Sequence, residues 1–344
     1  MEERMLSVPS FFDESKAGEI WQVNYQQRME DALEWAKQQN IKPSGSDDVK
    51  VAAMCIDTQI TFCVPSGELY VGGKSGRDAI DDSIRYCKYL YENMHNITKI
   101  IPTLDTHRNI AIFHSPFWVD QDGNNPAPNT IITEEMVKKG EWKVNPIIAG
   151  EFGGNYVGLQ NYALNYVKEL ETSGRYALIV WPFHAMLGGI GHSLVPSVEE
   201  AIFFHDIARG AMPEFQVKGG NPLTENYSIF QPEVKNTVNK AQKNTHFLNS
   251  LLNYDIIIIS GQAKSHCVAW TIYDLLNEIN DRDPSLAKKV YLLEDCTSPV
   301  VVLDDEGDPI DGLDFTEIAE KAFDEFIAAG MNVINTSTPI HELI

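Results

Sequence analysis

Cys267 follows the all-apolar run Ile256–Ile259 through the turn Gly261-Gln262-Ala263-Lys264-Ser265-His266. After it, Val268, Ala269, Ile272, Leu275 and Leu276 fall on one face at helical spacing, so a helix starts at Cys267. The N–H groups and macrodipole of a helix start favour an anion, and they lower a thiol's pKa toward a reactive thiolate. These residues alone give equal weight to a buried structural thiol, which is how Cys55, Cys63, Cys87 and Cys296 read.

A second constellation is Asp105, His107, His114 and His184. Asp105 and His107 stand two apart just beyond an apolar run, so both can point to one side. Imidazole nitrogens with a carboxylate oxygen suit zinc, iron or manganese. Taken singly, His107 and His114 are loop histidines, and His192, His205 and His266 read as hydrogen-bonded structural residues.

The octapeptide Gly261-Gln262-Ala263-Lys264-Ser265-His266-Cys267-Val268 resembles the nucleophile turn of the nicotinamidase and isochorismatase-like cysteine hydrolases. Met54-Cys55-Ile56-Asp57-Thr58-Gln59-Ile60-Thr61-Phe62 is similar to that family's first strand and its aspartate. Val217-Lys218-Gly219-Gly220 with Tyr227-Ser228-Ile229-Phe230 is similar to its lysine-glycine motif and the tyrosine-serine segment beyond. Thr103-Leu104-Asp105-Thr106-His107 with His114-Ser115-Pro116-Phe117 resembles its metal loop, and Trp181-Pro182-Phe183-His184 its last ligand. Leu293-Glu294-Asp295-Cys296 resembles its late strand and acidic turn.

The resemblance implies a triad of Asp57, Lys218 and Cys267, and an oxyanion hole from the N–H groups of Ala263 and Cys267. It further implies aromatic walls at Phe62, Trp181 and Tyr227, one divalent ion on Asp105, His107, His114 and His184, and a non-proline cis peptide in the nucleophile turn. The chemistry is coherent by itself: a carboxylate takes the thiol proton and returns it to departing ammonia, beside a lysine that favours the thiolate. The implied activity is hydrolysis of nicotinamide to nicotinate and ammonia through a thioester. Other readings are a different amidase or ureide hydrolase on the same triad, and a non-catalytic binding member of the fold. Two departures bear on the site: a stretched spacing from His107 to His114, and Ala185 where a cysteine often follows the last histidine.

The elements that must position these residues alternate between short apolar runs and helical patterns, which predicts a three-layer αβα fold around a mainly parallel sheet. Strands are expected at Val51–Ile56, Ile100–Leu104, Ala177–Trp181, Ile256–Ser260, Val290–Leu293 and Val333–Asn335. Ligands of such sheets sit beyond the carboxyl ends of the strands. Asp314 and Glu317 resemble a capping box ahead of a helix that Gly330 closes. Residues 1–46 read as a polar, partly helical extension and 47–344 as the catalytic domain. An enlarged segment at about 119–175, with a helix at Tyr162–Thr172, reads as a functional loop or lid.

Composition narrows the function classes. The 344 residues are 43% hydrophobic and 22% charged, ordinary for a folded chain. A formal charge of −22 repels nucleic acid and anionic membrane surfaces, so the expected partner is a small-molecule amide. The odd set of five cysteines without paired spacing, and the lack of an apolar leader in Met1–Glu30, suit a reducing cytoplasm. A homo-oligomer is compatible with this reading.

Overall fold

The computed structural model describes residues 4–304 and 306–343. Six strands form one sheet: β1 Val51–Ile56, β2 Lys99–Asp105, β3 Gln216–Lys218, β4 Ile256–Gly261, β5 Val290–Leu293 and β6 Asn332–Ile334. Their order across the sheet is β6-β5-β4-β1-β2-β3, and each neighbouring pair runs parallel. The fold is a three-layer αβα sandwich.

Every residue of β1 and of β4 is buried, because parallel strands at the middle of such a sheet are covered on both faces. Side chains alternate between those faces. Ala52, Met54 and Ile56 join the core beneath α3 (Tyr156–Ser173), α5 (Ala269–Arg282) and α6 (Thr316–Ala328). Val51, Ala53 and Cys55 join the opposite core beneath α2 (Asp78–Asn93) and α4 (Pro196–Arg209). From β1 the chain adds β2 and β3 on one side, then returns to place β4 on the other. The strand order therefore reverses between β1 and β4, and a crevice opens at their carboxyl ends.

Two strand expectations change. The run Ala177–Trp181 lies outside the sheet: Leu178–Ile179 pairs antiparallel with Ile131–Ile132 in a separate ribbon. Its apolar residues pack into the core with the enlarged segment, and Trp181 lines the site cavity. The sheet's sixth place is taken by β3, a three-residue edge strand whose Val217 is exposed. So short and mixed a run carries no period-2 signal.

The enlarged segment is a folded layer rather than an open lid. Helix α3 begins at Tyr156, earlier than its sequence pattern suggests, because Asn155 caps it by accepting the Gly158 N–H at 2.9 Å. Tyr162, Tyr166 and Leu170 then enter the core. At the other end of the molecule α1 (Tyr25–Gln39) lies on α4, with Arg28 Nε 2.8 Å from Glu200 and Trp35 edge-on to Phe204. The capping box at Asp314 takes a shorter form, in which its Oδ1 accepts the N–H and hydroxyl of Thr316 at 3.0 and 2.5 Å. Helix α6 stops at Ala328, and Gly330 follows in the left-handed region at φ +94°. Among the described residues no helix is long and apolar enough to cross a membrane.

Arg209 ties the amino ends of β1 and β2 together. Its guanidinium, 1% exposed, donates to both Asp47 oxygens at 2.6 Å and to the carbonyl oxygens of Ile97 and Lys42. Removing one partner of a buried, hydrogen-bonded pair leaves the other charge uncompensated. Arg209→Ala should therefore cost about 3 kcal/mol in urea unfolding. The reaction rate per folded molecule should stay unchanged, because the cluster sits at the strand ends opposite the crevice.

Candidate active site

Three strands deliver three side chains to the crevice. Asp57 is the residue after β1, in left-handed backbone at φ +48°, a conformation that aspartate tolerates better than most residues. Its N–H donates to the Thr103 carbonyl at 3.2 Å, and the Thr103 hydroxyl donates to its Oδ1 at 2.5 Å. Lys218 ends β3 in register with Asp105 of β2. Cys267 lies in a single π-type turn, Lys264–Val268, which leads from β4 into α5. The Lys218 ammonium is 3.0 Å from Asp57 Oδ2, 3.0 Å from Asp105 Oδ1 and 3.5 Å from Cys267 Sγ, and it donates to the Asn226 carbonyl at 2.9 Å.

All of these groups are buried, and burial sets their protonation. Removal from water pushes the Cys267 thiol well above its usual range; the Lys218 charge opposes this without overcoming it, and Asp57 and Asp105 add to the rise. The resting group is therefore a thiol. Burial thus works against the lowering that a helix start gives. Burial also raises Asp57, with Lys218 pulling back, which makes Asp57 a better proton acceptor than an ordinary carboxylate. Burial works against the charge on Lys218, but Asp105 and Asp57 outweigh it and hold the ammonium protonated.

The turn before the nucleophile is pressed onto β1. Gly261 has φ +114°, and a Cβ there would lie 2.0 Å from the Ile56 carbonyl oxygen, so only glycine fits. The Gln262 N–H donates to that same oxygen at 2.7 Å, and the Gln262–Ala263 peptide is cis. The Ala263 carbonyl then accepts from His266 and Val268 at 3.0 and 3.2 Å, and both Ala263 and Cys267 face the cavity.

Of the four expected metal ligands the structure converges three. Donor atoms of Asp105, His107 and His184 lie within 4.8 Å of one another. His107 N–H donates to the Ala185 carbonyl at 2.9 Å and Leu187 N–H to the His107 carbonyl at 3.0 Å, which brings the two ligand segments side by side. Each imidazole has Nδ1 against a carbonyl, Gly219 at 3.4 Å for His107 and Pro182 at 2.8 Å for His184, leaving Nε2 turned toward Asp105 at 2.7 and 3.6 Å. A carbonyl on Nδ1 fixes each ring's tautomer and orientation and leaves Nε2 free to ligate, as metal-binding histidines require. His114 stands outside the trio, its ring 5.7 Å from that of His107 and 6.1 Å from that of His184. Its Nδ1 meets the Arg108 carbonyl at 3.1 Å, and its buried Nε2 has no partner among the described residues. Burial, with the two neighbouring imidazoles, lowers its pKa to about 3 and keeps it neutral.

A cavity of about 390 Å³ reaches Cys267, Asp105 and His184, and Phe62, Trp181 and Tyr227 all line it. Trp181 Nε1 donates to the Tyr227 hydroxyl at 3.0 Å, which fixes two of these walls to each other. The Phe62 ring stands edge-on to His184. Sequence reasoning missed several lining residues. His266 makes the hydrogen bond expected of it, with Nδ1 2.8 Å from Ser265 Oγ, but it also lines the cavity; its buried Nε2 has no partner among the described residues, and burial lowers its pKa to about 3. Its place next to Cys267 was the available signal. Glu225, Asn129 and Val300–Leu303 also line the cavity, and only tertiary packing brings them there. His192 and His205 do take structural roles, against Thr106 Oγ1 at 2.7 Å and the Ile97 carbonyl at 3.0 Å.

No family model matches the sequence, and no curated protein matches it either. Solved structures do. A nicotinamidase/pyrazinamidase of Acinetobacter baumanii is 16% identical over 85% of this chain and 99% of its own, with a TM-score of 0.49. A pyrazinamidase of Pyrococcus horikoshii in complex with zinc is 16% identical over 83% and 99%, at 0.43. An isochorismatase-like hydrolase from Alkaliphilus metalliredigens is 11% identical over 84% and 96%, at 0.38. The chain resembles these hydrolases in fold. The reaction is read from the side chains.

Behind Tyr227 lies Glu233, fully buried, whose Oε1 accepts the Tyr227 N–H at 3.3 Å while Oε2 is 3.4 Å from Arg175. Burial pushes Glu233 up to about 7, and Arg175 only partly offsets it. The folded chain then holds a proton that the unfolded chain releases, so this group's contribution to stability falls as pH rises from about 4.5 to about 7 and is level above. Glu233→Gln should remove that slope. Thermal melting should show the variant gaining on the wild type across this window, with the largest advantage above pH 7; a variant less stable at pH 8 would contradict the assignment.

Proposed function

We propose that the protein is a cysteine-nucleophile amide hydrolase acting on a ring-nitrogen aromatic carboxamide of the nicotinamide type, giving the acid (nicotinate from nicotinamide) and ammonia. The observation that carries this reading is the Lys218 ammonium, 3.0 Å from Asp57 and 3.5 Å from Cys267 Sγ, at the end of an apolar, aromatic-walled cavity.

Asp57 takes the thiol proton as Sγ attacks the amide carbonyl carbon, and Lys218 balances the negative charge that passes between them. The carbonyl oxygen becomes an oxyanion met by the N–H groups of Ala263 and Cys267. As the C–N bond breaks, Asp57 returns its proton to nitrogen and ammonia leaves a thioester on Cys267. Water then enters, Asp57 removes its proton, hydroxide adds to the thioester carbonyl, and the C–S bond breaks with the thiol reprotonated. Asp57 is general base twice and general acid twice.

Asp105, His107 and His184, with the unpartnered Nε2 of His114 beside them, fit a divalent ion, zinc first by ligand type. Such an ion would supply a Lewis acid able to meet a ring nitrogen directly or through water. Phe62, Trp181 and Tyr227 hold the flat ring and exclude water. Asp105 links the two halves of the site, because its Oδ1 faces Lys218 and its Oδ2 faces the histidines.

Cys267→Ala should abolish ammonia release with the circular dichroism spectrum unchanged, and Cys267→Ser should lose roughly three orders of magnitude in kcat because an alcohol is far less acidic than a thiol. Near wild-type turnover in either variant would end the thioester mechanism. For the metal, elemental analysis should find about one divalent ion per chain, falling sharply in His107→Ala and His184→Ala. Chelation should slow ring-nitrogen amides more than simple aliphatic ones. A metal-free chain whose activity ignores both chelator and His184→Ala would shift the reading to a metal-independent amidase or ureide hydrolase.

A further inference from the structure

The cavity is larger than a bare pyridine carboxamide needs. At ~30 Å³ for each water-sized group, about 390 Å³ takes roughly thirteen or more non-hydrogen atoms. It also falls in the ~300–1,000 Å³ range of pockets that bury drug-sized ligands. Besides the catalytic groups and the aromatic walls, Leu69, Val71, Val300, Val302 and Leu303 line the cavity, so much of its remaining wall is apolar.

Two lining residues of this cavity carry a buried polar atom without a partner among the described residues: His266, beside the nucleophile, and Asn129, which belongs to a distant segment. Asn129 comes from the enlarged segment, next to the ribbon of Ile131–Ile132 and Leu178–Ile179. Its backbone is left-handed at φ +68°, fixed by its N–H donating to the Val180 carbonyl at 2.6 Å. Its side-chain Oδ1 is buried and, among the described residues, has no hydrogen-bond partner. A buried acceptor left unpaired carries the full desolvation cost of the group, and strained backbone held by its surroundings often marks a ligand contact.

We propose that Asn129 determines specificity by accepting a hydrogen bond from an N–H or O–H group on the far part of the acyl portion of the substrate. The substrate class is then an aromatic carboxamide that carries an apolar extension ending in a hydrogen-bond donor, rather than an unsubstituted ring. This inference rests on the hydrolase reading for its chemistry, while the contact itself is a matter of binding.

The test uses purified full-length protein and three probes: nicotinamide, nicotinamides bearing hydroxyalkyl chains on the ring, and the same chains ending in methyl. Ammonia release gives kcat and KM for the wild type, Asn129→Gly and Asn129→Asp. Glycine accepts the left-handed backbone, and aspartate keeps an acceptor oxygen. The wild type should prefer a hydroxyalkyl amide over its methyl counterpart by about three- to tenfold in KM, the size of one neutral hydrogen bond. Asn129→Gly should bring that ratio close to one through KM rather than kcat, and Asn129→Asp should retain it.

A ratio unmoved by Asn129→Gly would overturn the contact. Nicotinamide with a lower KM than every extended amide would overturn the substrate class and leave the hydrolase reading standing. If no amide is turned over, the hydrolase reading falls, and calorimetric titration of the same compounds into the same variants decides the Asn129 contact independently.

Discussion

The Lys218 ammonium is held between two buried carboxylates, 3.0 Å from Asp57 and 3.0 Å from Asp105, with the Cys267 sulfur 3.5 Å away. An uncompensated ammonium at this depth would be prohibitive, so the site exists only because both carboxylates are also there. The reverse holds for the carboxylates. Asp105 keeps its charge because His107 and Lys218 outweigh its burial, whereas Asp57, farther from the imidazoles, has a raised pKa. Two chemically identical side chains are thereby set to different tasks, one to hold charge and the other to move a proton.

Parallel strands make this arrangement possible. β1 supplies Asp57, β2 Asp105, β3 Lys218 and β4 the turn to Cys267, and all four end on the same side of the sheet. Register is the constraint beneath it: Lys218 stands opposite Asp105, and a one-residue slip of β3 would turn its side chain to the other face. Because β3 is a short edge strand, that register needs outside support. The Asn226 carbonyl accepts from Lys218 at 2.9 Å, and the neighbouring Glu225 N–H donates to Tyr166 of α3 at 3.0 Å. The enlarged segment thus braces the lysine as well as walling the cavity.

Burial of carboxylates continues beyond the reacting groups. Glu225 lines the cavity and Glu233 lies behind Tyr227, and burial raises both, to about 8 and about 7. Near neutrality Glu225 is mostly protonated and Glu233 about half so, which limits how much negative potential accumulates around Asp57 and Asp105. Arg175, in contact with Glu233 and Asp274 and stacked over Trp270, brings a cation to this outer group of carboxylates.

The central strands were legible in the sequence because buried parallel strands are continuous apolar runs: Val51–Ile56 and Val290–Leu293 appear with the bounds the pattern gives. Cys267, Asp57 and Lys218 stood in motifs, so local sequence pointed to them. The exposed edge strand β3 carries no such pattern, and Ala177–Trp181 shows the converse, an apolar run buried by loops rather than by a sheet. Protonation lay further out of reach, because helix position suggested a thiolate while burial, a property of the packed molecule, leaves a thiol. Likewise only the folded chain separates His114 from Asp105, His107 and His184, and only it carries Asn129 to the cavity from a Pro/Asn-rich stretch. The sequence by itself determined which residues could react and that strands would carry them. Tertiary structure decided their charges and the pocket around them, since both depend on which groups lose water together, and that is set by contacts between segments distant in the chain.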